Sequence, residues 1–203
     1  MFTGIVAEVG RVQRVERTET GSRLVIEGAH TVERLSIGDS VAVNGVCLTA
    51  VAVGEDTFEV DAVGETLERS NLGGIGVGVG VNLERPVASA NGRFDGHIVQ
   101  GHVDGVGTIE SIDVEGEAKR IRVAAPPSLA PYLVEKGAVT IDGVSLTITA
   151  VSPLEADQTW FEVVLIPHTL EVTILARWST GDRVNIESDI FAKYVERLMG
   201  TRA

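Results

Sequence analysis

The chain has 203 residues, 44% of them apolar, and a formal net charge of −12. That length fits one large domain or two of ordinary size, and the acidic balance excludes a nucleic-acid binder, which needs clustered Lys and Arg. No uncharged apolar run reaches the ~18–20 residues of a membrane span, and the lone cysteine, Cys47, closes no intramolecular disulfide, which points to a reducing, cytoplasmic setting.

The opening Met1-Phe2-Thr3-Gly4 runs into residues 5–9, which read as a strand carrying Glu8 rather than as a secretion signal. Residues 24–26, 40–43 and 46–53 are further short β-branched runs between glycines. Asn44-Gly45 is a two-residue hairpin signal, because both central residues of that turn take positive φ. A short helical turn suits residues 65–71. The glycine-rich stretch 73–80 invites comparison with a phosphate-cradling loop, yet no strand–turn–helix pattern surrounds it, so it reads as a turn before a strand. A polar linker is expected over residues 87–96. The same order then recurs, with strands at 103–109, 120–123, 139–141 and 144–151, a helical turn at 129–134, and the hairpin signal Asp142-Gly143.

The recurrence is literal. Asn44-Gly45-Val46-Cys47-Leu48-Thr49 returns 98 positions later as Asp142-Gly143-Val144-Ser145-Leu146-Thr147. Gly4 and Gly10 pair with Gly101 and Gly107 at an offset of 97, and Val81-Asn82-Leu83-Glu84 pairs with Val184-Asn185-Ile186-Glu187 at 103. The offset grows around residues 152–159, where a longer loop is expected. Two copies mean a duplicated domain rather than a solenoid. The expected fold is all-β, with six-stranded antiparallel units at residues 1–88 and 97–187, each closed into a barrel because closure removes its edges. Residues 188–203 change character. Ile190, Tyr194 and Leu198, with Phe191, Val195 and Met199, make a broad apolar face on one helix, opposite Lys193, Glu196 and Arg197 and ending near Gly200. Such a face lies on its own barrel or on a neighbouring subunit. Both barrels are complete before it starts, which favours an oligomerisation helix.

Alternation along residues 46–51 puts Cys47 and Thr49 on one face and Leu48 and Ala50 on the other. In the twin strand Ser145, Thr147 and Thr149 oppose Leu146 and Ile148. A face of small hydrogen-bonding groups is either simply solvated or the wall of a pocket for a flat heterocycle. The recurrence of Thr66 as Thr169 favours the pocket. The copies also differ: Lys136 falls opposite Gly38, Ser145 opposite Cys47, His102 opposite Ile5, His168 opposite Glu65 and Asp189 opposite Pro86, while His97 precedes the repeat. Equal frames with unequal reactive groups suit two like ligands in different roles. The histidines and the cysteine lack metal-ligand spacing, so no metal is expected.

Several segments together resemble riboflavin synthase of the α-chain type. They are residues 1–6, Val43-Asn44-Gly45-Val46-Cys47-Leu48-Thr49, Glu65-Thr66-Leu67 with Ser70-Asn71-Leu72-Gly73, Gly96-His97-Ile98-Val99-Gln100-Gly101-His102-Val103-Asp104-Gly105, and Lys136 with residues 141–147. The likeness covers essentially the whole chain. It implies Greek-key topology and one 6,7-dimethyl-8-ribityllumazine per barrel. It also implies a dismutation in which a four-carbon unit passes between two lumazines, giving riboflavin and 5-amino-6-ribitylamino-uracil, the last step of riboflavin biosynthesis. No cofactor is implied, because the substrate has an acidic C7 methyl and an electrophilic C7. A homotrimer held by the C-terminal helices is implied too, each site lying between the first barrel of one chain and the second of another.

Carried over by motif, the substrate contacts are Phe2, Gly4, Ile5 and Val6 of the opening, Cys47, Leu48 and Thr49, and Asp61, Ala62, Val63, Gly64, Glu65 and Thr66. In the second half they are Gly101, His102 and Val103, then Lys136, Ser145, Leu146 and Thr147, and finally Ile166, Pro167, His168, Thr169, Leu170 and Glu171. His168 stands where the family commonly has glutamate, and the 73–80 turn is unusually rich in glycine. The candidate catalytic set is His102, Ser145, Lys136, Cys47, His97 and Asp189. Proton transfer at the C7 methyl needs a base, and His102 suits by pKa, with Ser145 and Cys47 as partners. Lys136 stabilises developing negative charge, and Asp189 orients Lys136 or Ser145. Holding two lumazines in register supplies much of the rate. A non-catalytic lumazine-binding antenna protein would share the doubled barrel but lack reactive groups in one half. A flavin reductase would carry a nucleotide-binding domain where the second barrel stands.

Overall fold

The structure is a computed structural model describing residues 1–87 and 95–200. The first half contains β1 (Glu8–Arg17), β2 (Gly21–Glu27), the short helix α1 (Ala29–Val32), β3 (Ser40–Val43), β4 (Val46–Val53), β5 (Thr57–Val63), α2 (Gly64–Arg69) and β6 (Gly80–Glu84). The second contains β7 (Gly105–Glu115), β8 (Ala118–Ala124), β9 (Ala138–Ile141), β10 (Val144–Val151), β11 (Trp160–Leu165), α3 (Pro167–Val172) and β12 (Arg183–Ser188), and α4 (Ile190–Gly200) closes the chain. The first six strands close in the order β1-β2-β5-β4-β3-β6, and the last six close with the same connectivity, β7-β8-β11-β10-β9-β12. Both are antiparallel Greek-key barrels, as the sequence leads one to expect. The loop between β10 and β11 spans residues 152–159, where the repeat offset grows. The expected linker falls largely on residues 88–94, outside the described residues.

Alternation decides what each barrel encloses. Leu24, Ile26, Phe58, Val60 and Leu83 fill the first, and their twins Ile121, Val123, Phe161, Val163 and Ile186 fill the second, all fully buried. Each such side chain contributes roughly 1.5–3 kcal/mol of transfer free energy. The hairpin turns form as read: Asn44 and Gly45 have φ of 46° and 76°, and Asp142 and Gly143 have 47° and 78°. These turns meet back to back between the barrels. A Cβ on Gly45 would lie 2.7 Å from the Gly143 nitrogen, and the converse distance is also 2.7 Å. Glycine is thus required twice over, for its positive φ and for the close approach.

Two strands start later than the alternation suggests. β1 begins at Glu8, not at residue 5, and β7 at Gly105, not at 103. The reason is tertiary: residues 2–6 and 96–103 leave their own sheets and cross to the opposite barrel, whose strands donate to the Gly4 and Gly101 carbonyls.

Around the meeting turns the hydrogen bonding is reciprocal. The Asn82 amide group donates to the Asp142 carbonyl at 2.9 Å, and that of Asn185 donates to the Asn44 carbonyl at 2.8 Å. One side chain breaks the symmetry. Asp142 stands where the first half has Asn44, and its carboxylate accepts from the Asn185 N–H and Asn71 Nδ2, both at 2.9 Å, and from Trp178 Nε1 at 3.3 Å. Complete burial outweighs those bonds and pushes its pKa up to about 7. The native state therefore keeps a proton that the unfolded chain has lost, and this contribution to stability fades as pH rises from about 4 towards 7. Asp142→Asn keeps the Oδ1 acceptor and removes the titration. Relative to wild type it is expected to gain roughly 2 kcal/mol between pH 5 and pH 8. Denaturant unfolding at the two pH values checks this, and an equal difference at both refutes it.

Candidate active site

Each barrel lends an arm to the other. The Gly4 carbonyl accepts from the Ser145 N–H of β10 at 2.8 Å, and the Gly101 carbonyl accepts from the Cys47 N–H of β4 at 2.9 Å. Both glycines need the left-handed region, with φ of 78° and 77°. A Cβ on either would stand 2.6 Å from the Cβ of the residue beneath it, Ser145 or Cys47. Val6 packs on the core of the second barrel and Val103 on that of the first. The arms also pair with each other, Phe2 and Val99 exchanging backbone bonds at 2.7 and 3.1 Å.

Two buried carboxylates grip the arms from behind. Glu84, at the end of β6, accepts from the Thr3 N–H at 2.6 Å, the Thr3 hydroxyl at 2.9 Å and the Gly4 N–H at 2.9 Å. Its twin Glu187 on β12 accepts from the N–H groups of Gln100 at 2.7 Å and His102 at 2.9 Å. Burial raises both pKa values, that of Glu187 to about 7, against the lowering effect of those amide bonds.

In the first half this construction leaves a cleft of about 200 Å³ lined by Cys47, Glu65, Thr66, Arg69, Gly101, His102 and Val103. His102 is exposed there. In the second half the corresponding strand carries Ser145, whose hydroxyl lies 2.8 Å from His97 Nδ1. Burial holds the His97 pKa down, with the charge of Asp189 acting the other way, and its Nε2 is buried without a partner. A neutral imidazole beside a hydroxyl can take its proton. Thr49 and Thr147 face outward beyond Cys47 and Ser145, so each barrel offers a polar strip roofed at one end by the other's arm.

The lumazine binding domain family matches the chain twice, over residues 3–86 and 100–189. The riboflavin synthase of Mycobacterium tuberculosis (strain ATCC 25618 / H37Rv) is 49% identical over 98% of both chains. The chain belongs to the riboflavin synthase family. The Bacillus subtilis (strain 168) riboflavin synthase is 40% identical, covering 98% of this chain and 90% of that one. Among solved structures, LumP complexed with 6,7-dimethyl-8-(1'-D-ribityl) lumazine superposes with a TM-score of 0.81 at 24% identity, covering 93% of this chain and 99% of that one, a likeness of fold.

Within the riboflavin synthase frame the residues named from sequence divide between two places. Cys47, Glu65, Thr66, Gly101, His102 and Val103 gather in the first cleft. Ser145 and His97 gather with Gly4 on the second barrel. His102 therefore attends Cys47, and the partner of Ser145 is His97, not His102. Asp189 reaches neither Lys136 nor Ser145 with a hydrogen bond; its Oδ1 caps the Phe191 N–H at 3.0 Å, and its charge acts on His97. Lys136 is exposed, two residues before β9, with φ of 66° where Gly38 has 92°. A lysine kept in a region glycine occupies freely is strained by roughly 1–2 kcal/mol, and such an outlier points to function.

The other named residues lie outside these two groups. Phe2 is fully buried among Ala42 and Val99 and anchors its arm. The side chains of Leu48 and Ala62 face the interior of the first barrel, and those of Leu146 and Leu170 pack on the second core. Asp61 is engaged by Arg23 through bonds of 2.7 and 2.8 Å. Val63, Ile166, Pro167, His168 and Glu171 are exposed around α2 and α3, with Gly64 and Thr169 half-buried. Glu84 and Glu187 were missed as supports of the site. Their signal was an acidic residue kept in both copies of a strand that is otherwise ready for burial. No cluster of three or more His, Cys, Asp or Glu able to hold a metal occurs among the described residues. No helix among them is long and apolar enough to cross a membrane.

Proposed function

We propose that this chain converts two molecules of 6,7-dimethyl-8-ribityllumazine into riboflavin and 5-amino-6-ribitylamino-uracil, one lumazine lying on each barrel. The observation that carries this reading is the pair of half-sites with one frame and different reactive groups: Gly101 over Cys47 with His102 beside it, and Gly4 over Ser145 with His97 bonded to it. The backbone frame, Thr49 with Thr66 and Thr147 with Thr169, holds two like ligands. His97, kept neutral by burial, accepts the Ser145 proton as that hydroxyl engages ring carbon C7 of one lumazine. His102 takes a proton from the C7 methyl of the other. Lys136 lies one register step past Thr147, at the end of the Ser145 strip, and meets the negative charge that develops. Every atom of the four-carbon unit comes from one substrate and enters the other, so no external oxidant or reductant takes part.

The reading includes assembly as a homotrimer through α4 in the cytoplasm. Support comes from the apolar stripe of that helix: Phe191, Tyr194, Leu198 and Met199 are 60%, 61%, 67% and 70% exposed. A groove of about 720 Å³ lies between the helix and Pro131, Val134 and Leu154. Half-sites open at Thr49 and Thr147 would then be closed by a neighbouring copy, stacking the two lumazines face to face.

The direct test is incubation of chelator-treated protein with the lumazine. Riboflavin is expected at half the substrate consumed; its absence refutes the reading. Calorimetry with an unreactive lumazine analogue is expected to give two ligands per chain. One ligand per chain at saturation favours an antenna role instead.

A further inference from the structure

We infer that Lys193 is a positioning residue for His102, tying the first turn of α4 to the arm that lays His102 beside Cys47; the inference rests on the site reading above. Two carboxylates hold the arm from the side of its own barrel. One is Glu187, already described. The other is Asp104, whose Oδ2 accepts from the N–H and the hydroxyl of Ser188, both at 2.8 Å, and whose Oδ1 accepts from Lys193 Nζ at 2.6 Å. The Lys193 and Asp104 side chains are only 24% and 20% exposed, against 54% and 49% for the surface pair Arg14 and Glu16. Water and salt screen the covered pair far less. The Lys193 ammonium also favours the ionised form of Glu187, opposing burial and the nearby Asp104 carboxylate. Without it, the two carboxylates that flank the His102 segment would keep only their amide and hydroxyl donors.

The first repeat has only half of this device. Glu84 grips Thr3 and Gly4 as Glu187 grips Gln100 and His102. The position of Asp104, however, is Ala7, and Glu84 is followed by Arg85 and Pro86 rather than by a helix. The second grip serves only the arm that carries a histidine in the first cleft. It comes from the helix that exposes Phe191, Tyr194 and Met199 along its apolar stripe. Seating of α4 against another copy therefore fixes Lys193, and Lys193 fixes the arm.

The test uses the full chain, with wild type first assayed for riboflavin formation. Lys193→Met is expected to lower kcat about tenfold while changing KM for the lumazine by less than about twofold, the pattern of lost alignment rather than lost binding. It also displaces the pH–rate profile of riboflavin formation. Independently of activity, iodoacetamide alkylates Cys47 several-fold faster, because Gly101 no longer stays pinned on it. Lys193→Arg restores all three. Asp104→Asn combined with Lys193→Met is no worse than Lys193→Met alone, as for residues acting through one bond. Wild-type kcat, pH profile and alkylation rate in Lys193→Met overturn the inference, as does a smaller oligomer with unchanged alkylation. If Lys193→Met does not fold, Asp104→Asn decides: unchanged alkylation of Cys47 overturns the inference, and faster alkylation supports it. A wild-type chain that forms no riboflavin overturns the functional reading, while the alkylation arm still tests the grip.

Discussion

A chain ending at Asp189 is expected to run as a monomer and to lose on the order of a thousandfold in turnover, the scale of losing one reactant's positioning. No residue of α4 is buried within the chain, yet six of its residues form an apolar stripe. The barrels close without it, so truncation leaves the fold standing and removes the surface that brings copies together. Light scattering and riboflavin formation are read on the same sample. A proven monomer with full activity refutes a site shared between chains. The truncation also removes Lys193, and the Lys193→Met variant measures that share of the loss on its own.

Ser145→Ala is expected to lower kcat about a hundredfold, within the usual range for a positioned proton-transfer partner. Its hydroxyl is the hydrogen-bond partner of His97 Nδ1, so the substitution strands both imidazole nitrogens. A lumazine should still bind on the first barrel, where Cys47, Thr66 and His102 are untouched. Lys136→Ala should cost about tenfold, since an exposed charge is screened. Cys47→Ser should be milder still, because it only gives β4 the residue that β10 already has. Steady-state rates and separate binding measurements distinguish these effects. Wild-type rates in both Ser145→Ala and Lys136→Ala would remove the second repeat from the chemistry.

The barrels were legible because their rule is local. Period-two alternation, glycine punctuation and the Asn-Gly and Asp-Gly turns each specify a few neighbouring residues, and the repeat confirms them by saying everything twice. The later starts of β1 and β7 were not legible. Residues 5–7 alternate as a strand does, and only the opposite barrel explains why they leave it. The same limit separates the site residues. Cys47 and Ser145, Thr49 and Thr147, Thr66 and Thr169 could be matched by register within one copy. That His97 belongs to Ser145 and His102 to Cys47 depends on the crossing of the arms, which no spacing along the chain records. Asp61 shows the same limit: its bond to Arg23, 38 residues away, follows from the pairing of β2 with β5 and from no local pattern.

The exchange of arms bears on how such a chain could arise. A single barrel of this kind has a Gly-containing leader and a strand ready to receive one, but not its own leader on its own strand. Two separate copies would satisfy each other by trading leaders across a twofold axis, with the two glycine turns touching on that axis. A gene duplication would then have joined a dimer that already existed. Once both halves shared one chain, each receiving strand could vary alone, and the departures of Ser145 from Cys47 and Asp142 from Asn44 are the kind of divergence that a symmetric dimer forbids.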